Sequence, residues 1–107
     1  MPRPDEIIIS VKTPLGFVVT VDARRWDLIT SIKHPVMVGK EQEIDTVLRD
    51  PDEIRRSRSD PDVLLFYKRA REKRWHCAVV KQNGDKAFLI TAYPTDAIKE
   101  GLRTWPS

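Results

Sequence analysis

Two histidines, two tyrosines and a surplus of lysine and arginine are the chain's main means of doing chemistry. His34 stands immediately before Pro35. Tyr67 lies in the run Leu64-Leu65-Phe66-Tyr67-Lys68-Arg69, and Thr91 and Tyr93 lie in Phe88-Leu89-Ile90-Thr91-Ala92-Tyr93. Both runs are apolar enough for the middle of a sheet, yet both carry hydroxyls or cations at period two. An unpaired buried cation or hydroxyl is costly, so one face of these strands is expected to open onto a polar site. Imidazole, phenol, guanidinium and ammonium groups are what metal-free RNA cleavage requires. The substrate's 2′-hydroxyl attacks its own phosphorus. The protein adds a base, an acid for the leaving 5′-oxygen, and cations for the phosphoryl oxygens.

Side-chain parity sorts the candidates. Leu65, Tyr67 and Arg69 point one way on their strand; Cys77, Val79 and Lys81 share a side on the next; Leu89, Thr91 and Tyr93 share one on the last. The expected catalytic set is therefore Tyr67, Lys81, Thr91 and Tyr93, with His34 at the rim, released from its helix by Pro35. The preceding edge strand adds Arg56 and Arg58, or else Arg55 and Ser57, because register there is open. Arg55, Lys68, Arg69 and Lys99 are the expected RNA-backbone contacts. Each of these residues alone has a plainer role as a cap, a core phenol or a solvated charge; only their joint occurrence points to a site.

These side chains need elements to hold them. Ile7 to Lys12 and Phe17 to Val21 read as strands around the turn Thr13-Pro14-Leu15-Gly16. Asp22 caps a predicted helix over residues 23–33, which Pro35 stops. A second helix over 40–49 presents Ile44, Val47 and Leu48. Strands follow at 53–58, 63–70, 75–82 and 87–93, the last two joined by the hairpin signal Asn83-Gly84. A short helix is expected from Thr95 or Asp96 to Gly101, with Trp105 folded back onto the body. The predicted fold class is α+β: an N-terminal hairpin and two helices, then a four-stranded antiparallel sheet and a short C-terminal helix, in a single domain over 1–107.

Composition narrows the classes. With 107 residues, 40% of them hydrophobic and 33% charged, the chain can build one core without metals or disulfides. No apolar run approaches the roughly 20 residues of a membrane span. The first residues carry no apolar leader and Cys77 is the sole cysteine, so a reducing cytoplasm is the expected setting. His34 and His76 lie far apart without ligand spacing, and no Gly-rich phosphate loop is present; no metal or cofactor is expected. Between Arg55 and Arg74 stand eight Lys/Arg against three acids, following an acidic stretch from Glu41 to Glu53. That contrast fits one face for a polyanion.

The chain resembles the phage-type barnase–EndoU–colicin–RelE-like family of small nuclease domains. The likeness rests on Trp26 with His34-Pro35, on Asp50-Pro51-Asp52 and Ile54 leading to Ser57, and on Tyr67. Above all it rests on Thr91-Ala92-Tyr93 followed by Ile98-Lys99 and Gly101. What it implies is a barnase/RelE-like fold, a metal-independent ribonuclease site on the sheet, RNA as partner and a cognate antitoxin or inhibitor protein. Relatives that bind RNA without cutting it keep a non-catalytic RNA-binding or protein-interaction role open.

Overall fold

The computed structural model describes residues 3–98 and 101–106. Among the described residues, seven strands form one sheet: β1 (Ile7–Lys12), β2 (Val18–Asp22), β3 (Glu53–Arg56), β4 (Val63–Arg71), β5 (Arg74–Asn83), β6 (Lys86–Thr95) and β7 (Leu102–Trp105). Their spatial order is β1-β2-β6-β5-β4-β3-β7. All neighbours are antiparallel except β2 and β6, which run parallel over Val18–Thr20 and Lys86–Phe88. Two short α-helices, α1 (Ala23–Leu28) and α2 (Glu41–Arg49), lie between β2 and β3.

This corrects the expected architecture. The chain is mostly sheet, mixed rather than antiparallel, and seven-stranded rather than four-stranded. The N-terminal hairpin does not stand apart: β2 adds itself to β6 across a long separation in sequence, a pairing no local pattern signals. At the other end, residues 96–98 bend rather than form a helix, and Gly101 has φ +85. Residues 99–100 of that predicted helix lie outside the described residues. The chain then forms β7, which pairs with β3 through Ile54–Trp105 and Arg56–Leu102.

The core lies on one face of the sheet. Ile9, Val11, Val19, Val21, Leu64, Phe66, Val80 and Leu89 meet Trp26, Ile29, Ile44, Val47 and Leu48 from the helical layer. Phe66 is fully buried and meets the edge of Phe17 at 6.2 Å, so Phe66→Ala would cost about 3–5 kcal/mol. The carboxylate of Asp22 caps α1, accepting from the Arg25 amide at 2.7 Å. Helix α1 does not run on to Lys33 as an α-helix; residues Ile29–Lys33 form a wider π-helical turn, and the Thr30 hydroxyl donates to the Trp26 carbonyl. In α2, Glu41 and Glu43 occupy the first turn, where the helix dipole favours acids, and Arg49 pairs with Asp45 one turn back.

Candidate active site at the free edge of β6

The opposite face of the sheet carries a second, smaller cluster. Leu65, Tyr67, Cys77 and Val79 form its floor, and Val63, Ile90, Tyr93 and Ile98 pack against them. The pairings Val79–Thr91 and Cys77–Tyr93 put Thr91 and Tyr93 on this face. A bulge intervenes between Leu89 and Thr91, because Val80 pairs with Leu89 while Val79 pairs with Thr91. Ile90 is the extra residue. Leu89 therefore enters the helical-side core, which corrects the expected common side for Leu89, Thr91 and Tyr93.

The β2 pairing stops at Phe88, so the second half of β6, paired with β5 on one side, has no strand on the other. The segment around Pro35 fills that place. The His34 amide closes the π-helical turn onto the Ile29 carbonyl at 2.7 Å, and the residue then leaves helical geometry at φ −141 and ψ 78, as a residue before proline must. The Lys33 ammonium donates to the Ile90 carbonyl at the bulge, 3.3 Å away. Together these place the His34 ring 5.3 Å from that of Tyr93, at a 40° tilt. Such ring pairs contribute about 0.5–1.5 kcal/mol. Beside Tyr93 on β6, the Thr91 hydroxyl is buried without a hydrogen-bond partner.

Thus His34, Thr91 and Tyr93 come together, and Tyr67 shares their face at greater depth. Tyr67 is only 2% exposed, in the floor against which Ile98 packs, so its part there is structural. Arg55 shares the face through its pairing with Leu65, but its guanidinium is held by Glu53 and donates to the Gly101 carbonyl at 3.2 Å. Lys81 sits at the far end, 3.3 Å from the Asp60 carboxylate, in a half-exposed pair contributing at most about 1 kcal/mol. The Asp62 amide and then Lys81 hold the Asp60 carboxyl below its ordinary range.

Of the remaining predicted cations, Arg69 keeps the Tyr67 face through its pairing with Trp75, while Arg56, Arg58 and Lys68 lie elsewhere. Arg56 pairs with Leu64, whose side chain lies in the opposite core, and its guanidinium bonds the Pro61 carbonyl. Arg58 is exposed in the turn after β3. Neither joins the face, because the strand ends at Arg56 and its parity selects Arg55. Lys68 is tied to Asp50, donating to its carbonyl at 2.9 Å, and lies 4.0 Å from Asp52. The Arg69 guanidinium lies over the Trp75 ring. Lys99 lies outside the described residues. Lys33 was not anticipated as a site residue; its signal was its position directly before His34-Pro35.

Among the described residues, no group of three or more His, Cys, Asp or Glu side chains is arranged to hold a metal ion, and no helix is long and apolar enough to cross a membrane. No family model, curated protein or solved structure matches the chain.

Proposed function

We propose that this chain is a metal-independent endoribonuclease whose centre is His34, with Tyr93, Thr91 and Lys33 around the scissile phosphate. The observation supporting this reading is the His34–Tyr93 ring contact beside a buried hydroxyl that has no partner of its own. His34 takes the proton of the 2′-hydroxyl. The 2′-oxygen bonds to phosphorus, the bond to the 5′-oxygen breaks, and the Tyr93 phenol supplies that oxygen's proton. Lys33 and the Thr91 hydroxyl offset charge on the phosphoryl oxygens. The products are a 2′,3′-cyclic phosphate and a free 5′-hydroxyl. A reducing compartment suits Cys77, the sole cysteine, which is buried. The exposed apolar side chains Ile32, Val36 and Val38 flank His34 along the chain, and a cognate inhibitor closing the site would cover them.

A second reading, RNA binding without cleavage, is favoured by the packing of Ile98 onto this face and by the carboxylate partners of Arg55 and Lys81. Incubating the purified, folded protein with RNA in EDTA separates the two. The nuclease reading expects fragments ending in 2′,3′-cyclic phosphate or 3′-phosphate. Intact RNA at high protein concentration would leave binding alone.

A further inference from the structure

On the helical side of the sheet, an open groove of about 430 Å³ lies between α2 and the β4–β5 hairpin. Lys40, Glu43, Thr46, Val47, Lys68 and His76 line it. It does not belong to the His34 centre: Lys68 and His76 pair across β4 and β5 on the opposite face from Tyr67 and Tyr93. The two regions are nevertheless adjacent, since His76 pairs with Pro94, the residue after Tyr93, and the segment from His34 to Lys40 links them.

The side chains in the groove have unmet needs. Lys40 has no ion pair among the described residues. Glu43 lines the groove with a half-buried carboxylate; its Oε2 is shut off from solvent and accepts no hydrogen bond, which leaves Oε1 as the oxygen a ligand can reach. Burial, reinforced by Lys40 and Arg74 and opposed by Glu43, holds the His76 imidazole below its ordinary pKa and so keeps it neutral, free to accept or donate. A ligand for this set carries an anionic oxygen for the cations and, close by, a hydroxyl able to donate to a carboxylate. A phosphate next to a ribose 2′-hydroxyl has both, and the exposed Arg71, Lys73 and Arg74 surround the nearby hairpin with positive charge.

We infer that this groove holds one nucleotide of the RNA strand outside the cleavage centre, its phosphate on Lys40 and its 2′-hydroxyl donating to Glu43. The inference rests on the RNA reading above, but not on cleavage.

The test is fluorescence anisotropy in EDTA, on a His34→Ala background, with a short RNA, the same sequence in DNA and its 2′-O-methyl form. Lys40→Ala is expected to weaken RNA binding about tenfold, the loss of one charge-assisted contact, and Lys40→Arg to restore it. Glu43→Ala is expected to erode the preference for RNA over both analogues. The His76 ring resonances should shift on adding RNA. Unchanged affinity in Lys40→Ala, or equal binding of RNA and DNA by the parent protein, overturns the inference. RNA binding sensitive to Lys40 in a protein that never cleaves RNA keeps the groove and removes the nuclease. Cleavage with binding indifferent to Lys40 does the reverse.

Discussion

Gly101 stands directly before β7 at the β3–β7 edge, and Gly101→Ala measures how closely the chain approaches β3 there. Its φ of +85 is unfavourable for any residue with a side chain, at about 1–2 kcal/mol. A Cβ there would also lie 2.5 Å from the Arg56 carbonyl oxygen, a backbone atom that can yield only if β3 moves. Such overpacking adds about 1–3 kcal/mol, for a total of about 2–5 kcal/mol. Gly84 provides the internal control. It too has positive φ, +67, yet nothing lies within 4 Å of its would-be Cβ, so Gly84→Ala should show the conformational cost alone. Urea denaturation of both variants, with equal m-values, reads the difference directly. In thermal melts Gly101→Ala should fall on the order of 10 °C or more below the parent, and Gly84→Ala roughly half as far or less. Equal stability of the two variants would refute the close approach of Gly101 to β3.

Other expectations concern the site and the groove. Thr91→Val keeps the shape and removes an orphaned hydroxyl, so stability should hold or rise by up to about 1 kcal/mol while RNA cleavage falls about tenfold; a stability loss matching the activity loss would make Thr91 purely structural. Lys33→Ala should lower cleavage markedly, whereas Arg58→Ala should leave it near the parent value, as steady-state kinetics on the two variants would show. His76 gives a pH signature. Its folded pKa is depressed, so the unfolded chain binds more protons below the ordinary imidazole pKa of about 6.5. Its contribution to stability is constant above that pH and is lost as pH falls through the folded pKa. Denaturation across pH 7 to 5 should show His76→Gln with a shallower loss than the parent; parallel curves would contradict the burial of the ring.

Much of the fold's local grammar was legible in the chain. Pro14 and Gly16 marked the first turn, closed by the Thr13 amide on the Phe17 carbonyl at 2.9 Å. Asp22 marked the cap of α1, Ile44, Val47 and Leu48 the buried face of α2, and Asn83-Gly84 the β5–β6 hairpin. Parity correctly grouped Tyr67 with Leu65, and Cys77 with Val79. What escaped was non-local. The parallel union of β2 with β6 and the pairing of β7 with β3 depend on which edges remain open after the hairpins form, and no short window records that. The bulge at Ile90 breaks the period-two rule within a single strand, so Leu89 and Thr91 separate. At the site, the convergence of His34 on Tyr93 follows from the end of β2 pairing at Phe88. The placement of Arg56 and Arg58 away from it follows from a strand two residues shorter than its polar run.

The central claim is that the His34 imidazole performs proton transfer on RNA at the edge of β6. Single-turnover cleavage of RNA in EDTA by the parent and by His34→Ala, with melting curves recorded on the same samples, tests it most directly. The predicted result is a loss of about 10²–10⁴-fold in rate with the folded state retained. Cleavage by His34→Ala at the parent's rate, or no cleavage by the folded parent, would contradict it.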